Sequence, residues 1–222
     1  GATADDVVEM VSFDVFSVND SVSASAGGSF GGNIGMGGTL AVTGNTTVGG
    51  TLTVAGATTL TTKLATTNLA TGAVVQVVNV QTGAAATGTT AMGLDDTIPQ
   101  KTEGDEFMTL AITPTNSSNK LLIEAVILGA VSKNSRFIVM SLFQDTTANG
   151  LATSAIWEDT LAGMNTLSLR HFMAAGTTSA TTFKIRAGSP DSTSTFTFNG
   201  FGGARKYGGT LASSITITEI AV

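Results

Sequence analysis

His171 is the single histidine of a chain that has no cysteine. Thiol catalysis, disulfides and thiolate metal sites are therefore excluded. A Ser-His-Asp arrangement needs the imidazole oriented by a carboxylate beside a nucleophile. His171 stands instead in the strand-like run Leu167–Met173, and no G-x-S-x-G elbow occurs. A glycoside hydrolase needs two carboxyls about 5–9.5 Å apart across a cleft. The acidic pairs on offer are Asp95/Asp96, the cluster Glu103 to Glu106, and Glu158/Asp159. All read as solvated turns, and neighbours on a strand point to opposite faces. The run Asp191-Ser-Thr-Ser-Thr lacks the Asp/Asn-Gly spacing of a calcium loop. The glycines at 35, 37 and 38 belong to a repeat, and no phosphate-binding G-x-x-x-x-G-K-[ST] is present. The expectation is a chain without catalytic residues, cofactor or metal.

The remaining chemistry is recognition. Trp157 stands between Ile156 and Glu158, and Phe201, Arg205, Lys206 and Tyr207 crowd a glycine-rich stretch, Gly200–Gly209. Aromatic and Arg side chains on loops are frequent binding anchors, and flat rings suit sugar faces. Phe201, Arg205, Tyr207 and Trp157 are therefore the receptor-binding candidates. Each has a plainer alternative: Trp157 packed in a core, and Gly200–Gly209 as a tight connection before a final strand.

Elements rich in turns and short strands must carry these residues. Of 222 residues, 42% are apolar but only 12% charged, with 27 Gly and 3 Pro. Net charge is −6 and no basic patch is visible, which argues against nucleic acid. From residue 71 onward, apolar runs of strand length recur between turns. They fall near Val74–Val80, Glu106–Thr113, Lys120–Val131, Arg136–Gln144, Thr166–Ala174, Thr181–Ala187, Thr195–Asn199 and Ser213–Ile220. Short strands at this spacing predict an antiparallel β-sandwich. The nearly continuous apolar run Leu121–Leu128 predicts a strand buried on both faces.

A second pattern precedes this head. Gly32, Gly38, Gly44, Gly50 and Gly56 fall every sixth residue. Met36, Val42, Val48, Val54 and Leu60 follow four places later, and Ile34, Leu40, Leu52 and Leu64 mark a third register shared with Thr46 and Thr58. Two apolar positions one residue apart share a side of a short strand, and Gly permits the bend. The hexad predicts a β-spiral or β-helix. About six hexads are too few for one chain to bury its own apolar rows, so the expectation is a shaft shared by three chains over residues 31–70. Residues 1–30 remain open between two readings. Val8, Val11, Val15, Val18 and Val22 follow heptad spacing, while Val11, Phe13 and Val15 alternate as in a strand. The apolar stretch here is too short and too acidic to insert in a membrane.

The segment GGTLAVTGNTTVGGTLTVAGATTL and the ending GGTLASSITITEI resemble the trimeric tail fibres, spikes and head fibres of tailed bacteriophages. That resemblance implies an all-β protein: a short trimeric β-helix or β-spiral shaft followed by a jelly-roll-like head, residues 71–222. It implies a homotrimer at a virion surface, on tail or capsid. Residues 1–30 would attach to other virion structural proteins, and the head would meet a host cell-surface glycan or protein. Two further readings stay open: a capsid decoration or cement trimer, and a polysaccharide-degrading spike.

Overall fold

The computed structural model describes residues 33–59, 69–159 and 163–222. The chain divides into two units, residues 1–59 and 60–222. The expected attachment segment 1–30 and the hexad residues Leu60 and Leu64 lie outside the described residues.

In the first unit the six-residue beat survives in the backbone. Bends recur at 37–38, 43–44, 49–50 and 55–56, each on or beside a hexad glycine. Between bends the chain forms no strand, and residues 33–59 are exposed throughout. This corrects the expectation of a β-helix or β-spiral shaft, since no sheet is curled or closed into a helix. The physical reason is that a strand is defined by its ladder partners. The repeat sets where the chain bends but supplies no hydrogen-bonded neighbour. Ile34, Met36, Leu40, Val42, Val48, Leu52 and Val54 are left 48–71% exposed.

The second unit is all β. Its strands are β1 (Val74–Thr82), β2 (Ala86–Gly88), β3 (Asp105–Ile112), β4 (Lys120–Val131), β5 (Arg136–Gln144), β6 (Ala152–Glu158), β7 (Asn165–Ala174), β8 (Thr181–Gly188), β9 (Phe196–Phe198), β10 (Gly200–Phe201), β11 (Ala204–Arg205) and β12 (Ser213–Ile220). One sheet runs β1-β12-β4-β9-β2, with β7 also paired to β4, and the other runs β3-β8-β5-β6. Every pairing is antiparallel. The two sheets face each other as a jelly-roll-like sandwich. Leu121, Ile123, Ile127, Ile215 and Ile217 of the first meet Ile138, Met140, Leu142, Phe183 and Ile185 of the second. Phe107 from β3 closes one end, 5.3 Å from the Phe196 ring and 5.1 Å from Phe198.

The strand β4 corrects one detail. Leu121, Ile123, Ala125 and Ile127 are buried, but Leu122, Val126 and Leu128 are only half-buried. The second face of β4 looks outward. There, residues in register across four strands form rows: Val77, Thr218, Leu122 and Phe172, then Asn79, Thr216, Glu124 and Arg170. The first row is apolar apart from Thr218, and its end residues Val77 and Phe172 are exposed. In the second, Arg170 Nη2 lies 2.5 Å from Glu124 Oε1, and Asn79 Nδ2 donates to Thr216 Oγ1 at 2.8 Å.

Part of the outer face of the other sheet is covered by its own chain. Residues 89–104 cross it as a strap, held by Met92 N to Ser189 O (3.0 Å) and Gly150 N to Pro99 O (2.8 Å). Met92, from the strap itself, is fully buried, as is Phe143 on the outward register of β5.

Candidate functional site

The glycine-rich stretch after β9 builds a platform. Gly202 and Gly203 have φ of +62° and +77° between β10 and β11, with Phe201 paired to Ala204. Two consecutive left-handed residues make the turn whose twist suits a tight hairpin, and Gly adopts it without strain. Beyond β11 the chain turns again at Tyr207–Gly209, whose φ values of +50°, +65° and +94° are all left-handed. Thr210 closes it by donating N–H (3.1 Å) and Oγ1–H (2.7 Å) to the Tyr207 carbonyl. This turn sits against the backbone after β1: a methyl group at Gly83 would lie 1.9 Å from the Gly209 carbonyl oxygen.

The hairpin itself is rooted by Asn199. Its amide donates to the carbonyls of Thr82 (2.7 Å) and Ala84 (3.1 Å) and its Oδ1 accepts from Ser213 Oγ at 2.7 Å. Asn199 is fully buried at φ +52°, a conformation Asn tolerates better than most residues.

Three of the side chains named from the sequence meet on this platform. Phe201, Lys206 and Tyr207, with Met164, line a groove of about 370 Å³. Lys206 Nζ stands 5.9 Å from the Phe201 ring centroid, within cation–π range. Tyr207 is 72% exposed and has φ +50°. A bulky residue in that region is strained by about 1–2 kcal/mol, which Gly would avoid. Arg205 is exposed on β11 but pairs with Gly200, on the face of the hairpin opposite to Phe201, and does not line the groove.

Trp157 is elsewhere. It lies on the outward register of β6, the edge strand, 48% exposed and edge-on to Phe137 at 4.9 Å. The alternative of a core tryptophan is thereby corrected: inward register on β6 belongs to Ala152, Ser154, Ile156 and Glu158. Trp157, Phe137, Leu94, Arg136, Pro190 and Asp191 contribute to a second groove of about 370 Å³. Asp191 there accepts from Thr193 Oγ1 (2.5 Å) and N (2.9 Å), from Arg136 Nε (3.0 Å) and from Lys133 Nζ (3.4 Å). The Thr193 bonds, then Arg136, outweigh burial and hold its carboxyl well below the usual range.

Several of the carboxylates screened for hydrolysis are held in structural bonds. Asp95 caps its own turn through Thr97 Oγ1 (2.5 Å) and N (2.8 Å), which lowers its pKa. Asp105 accepts from Thr90 N and Oγ1, and Glu106 pairs with Lys184 and Arg186. Glu158 is buried and accepts from Asn165 Nδ2. His171 is half-buried, opposite Ile123. Among the described residues no group of three or more His, Cys, Asp or Glu is placed to hold a metal. No described helix is long and apolar enough to cross a membrane.

One carboxylate escaped the sequence reading altogether. Glu219 is fully buried. Its Oε2 accepts from Gln76 Nε2 at 2.6 Å; its Oε1 accepts from Thr115 N and Oγ1, both 2.8 Å, and Asn119 Nδ2, 2.6 Å. Burial alone pushes this carboxyl up, but donation by Gln76, Asn119 and Thr115 outweighs it, and the pKa is lowered. The signal was its register: Glu219 shares a face with Ile215 and Ile217.

The site is thus an exposed groove of two aromatic rings and a lysine on an antiparallel β-sandwich. No protein-family model and no curated protein sequence matches the chain. Among solved structures it is similar to the Eiger TNF of S. frugiperda, at 9% identity and TM-score 0.41, over 65% of this chain and 93% of that one. It is also similar to the VP2 subviral particle of infectious bursal disease virus, at 13% identity and TM-score 0.32, over 66% of this chain and 37% of that one. The Gx strain of that virus gives 12% identity and TM-score 0.33, again covering 37% of the viral chain. The chain therefore spans little more than a third of the viral proteins it is similar to. The sandwich assignment rests on the strand pairings themselves.

Proposed function

We propose that this chain is a homotrimeric structural protein of a virion surface, on tail or capsid. In this reading residues 71–222 are the head that meets a host cell-surface glycan or protein, and residues 1–30 join other virion structural proteins. The observation that carries the self-association is the outward face of the β1-β12-β4-β7 sheet. Its apolar row of Val77, Leu122 and Phe172 lacks a cover among the described residues. The neighbouring row is neutral because Glu124 is paired with Arg170. In a chain of net charge −6, copies that approach through a face whose acid is paired, and whose other charge is Lys120, avoid carboxylate repulsion. The exposed hexad side chains between Ile34 and Val54 point the same way, since apolar surface gains by being shared. Recognition of the host is supported by the Phe201–Lys206–Tyr207 platform, where a strained tyrosine is kept outside the core.

Adsorption tests the reading. Purified intact protein, added in excess, is expected to reduce attachment of the parent virus to its host cells. Three equivalent weak sites raise avidity by about 10²–10⁴ when geometry lets them engage together. Unchanged adsorption, with the protein still present on the particle, would favour the capsid decoration reading instead.

A further inference from the structure

Of the cations among the described residues, Lys133, Arg136, Arg170, Lys184 and Arg186 are in ion pairs. Lys101 donates to the Thr146 carbonyl at 2.8 Å. Lys120, Arg205 and Lys206 have no anion among the described residues. Arg205 and Lys206 are adjacent, and no acidic residue occurs between Asp191 and Glu219 in the sequence. Lys206 thus brings a positive charge without an ion-pair partner to the groove that Phe201 and Tyr207 line.

We infer that the Phe201–Lys206–Tyr207 groove binds an acidic glycan through a carboxylate-bearing pyranose. This deepens the host-surface reading above and rests on it. The chemistry is divided between two kinds of side chain. Tyr207, 72% exposed, offers a ring face to the C–H face of a sugar. Lys206, on the groove wall, presents its ammonium to the carboxylate as a point charge, while Arg205, on the other face of the hairpin, adds only to the local charge. Met164 and Phe201 wall the groove. The Trp157 groove is a poorer match, because its Arg136 and Lys133 are already held by Asp191.

The test uses intact protein in calorimetric titrations with oligogalacturonate, hyaluronate oligosaccharides and polysialate, and with methyl-esterified oligogalacturonate as the neutral counterpart. At least one acid form is expected to bind, and the ester is expected not to. The double variant Arg205→Ala/Lys206→Ala should weaken binding by about tenfold or more, as loss of charge-assisted contacts does. Tyr207→Gly should also weaken it, and since Gly suits φ +50° the turn stays formed. Trp157→Ala should leave it unchanged. Absence of binding to all three acids at millimolar concentration overturns the inference, as does binding that the double variant retains. If the double variant still blocks virus adsorption like the unmodified protein, the acidic-glycan assignment fails while host recognition stands. If neither protein blocks adsorption, host recognition itself fails.

Discussion

Glu219→Ala is expected to lower the stability of the head by on the order of 4 kcal/mol, read as a fall in the urea midpoint. That is a large share of the ~5–15 kcal/mol that holds a domain folded. The carboxylate ties three parts of the chain. Gln76 comes from β1, Glu219 from β12, and Thr115 and Asn119 from the loop joining β3 in one sheet to β4 in the other. Removing it leaves buried donors aimed at an empty site, and each such donor costs about 1–3 kcal/mol unless water reaches it. Glu219→Gln should fall between, since one oxygen remains to accept. Glu124→Ala serves as contrast. Its ion pair with Arg170 is solvent-exposed, so its loss should cost about 1 kcal/mol or less.

The same group fixes an acid dependence. Its folded pKa lies below the ordinary glutamate value, so the unfolded chain binds the proton more readily. The stabilisation is complete above the unfolded pKa of about 4.3 and is lost as pH falls through the folded value. Glu219→Gln should abolish that part of the acid-induced loss. An acid dependence identical in both proteins would refute this role for Glu219.

The second large effect is on assembly. Phe172→Glu is expected to convert trimer to folded monomer. Phe172 projects away from the core and is 57% exposed in the single chain, so the sandwich should keep its far-ultraviolet circular dichroism. Between copies, each lost Phe contact forfeits about 1.5–3 kcal/mol, and three equivalent contacts multiply it. Burying an unpaired carboxylate adds a further penalty. Trp157→Glu, on the other sheet, should leave the oligomer intact. A trimer that tolerates Phe172→Glu would place the interface on another surface.

The sequence made the long strands readable because their patterns are strong. The bounds expected for Lys120–Val131, Arg136–Gln144 and Ser213–Ile220 coincide with β4, β5 and β12. The Gly202-Gly203 turn was equally plain, since paired glycines license two left-handed residues. By contrast, β6 mixes Ala, Thr and Ser with few large side chains, so its period is faint although it carries Trp157. The strap over residues 89–104 has no period, and its anchor, Met92, is buried by tertiary contact alone. Glu219 went unnoticed because a carboxylate at an apolar register is ordinarily read as solvent-facing. The hexad shows the limit most clearly. Its beat correctly located the bends at 37–38, 43–44, 49–50 and 55–56, but a beat cannot provide the neighbouring strand that a ladder requires. On the platform, residue type marked Phe201, Arg205 and Tyr207. What brings the two rings together is the left-handed turn at Tyr207 and the seat at Gly83, neither of which residue type reveals.

Self-association is the claim on which the virion reading turns, and the mass of the intact protein in solution tests it most directly. Multi-angle light scattering at micromolar concentration is expected to give about three times the 22.3 kDa chain mass. A stable, folded species at the mass of one chain would contradict it.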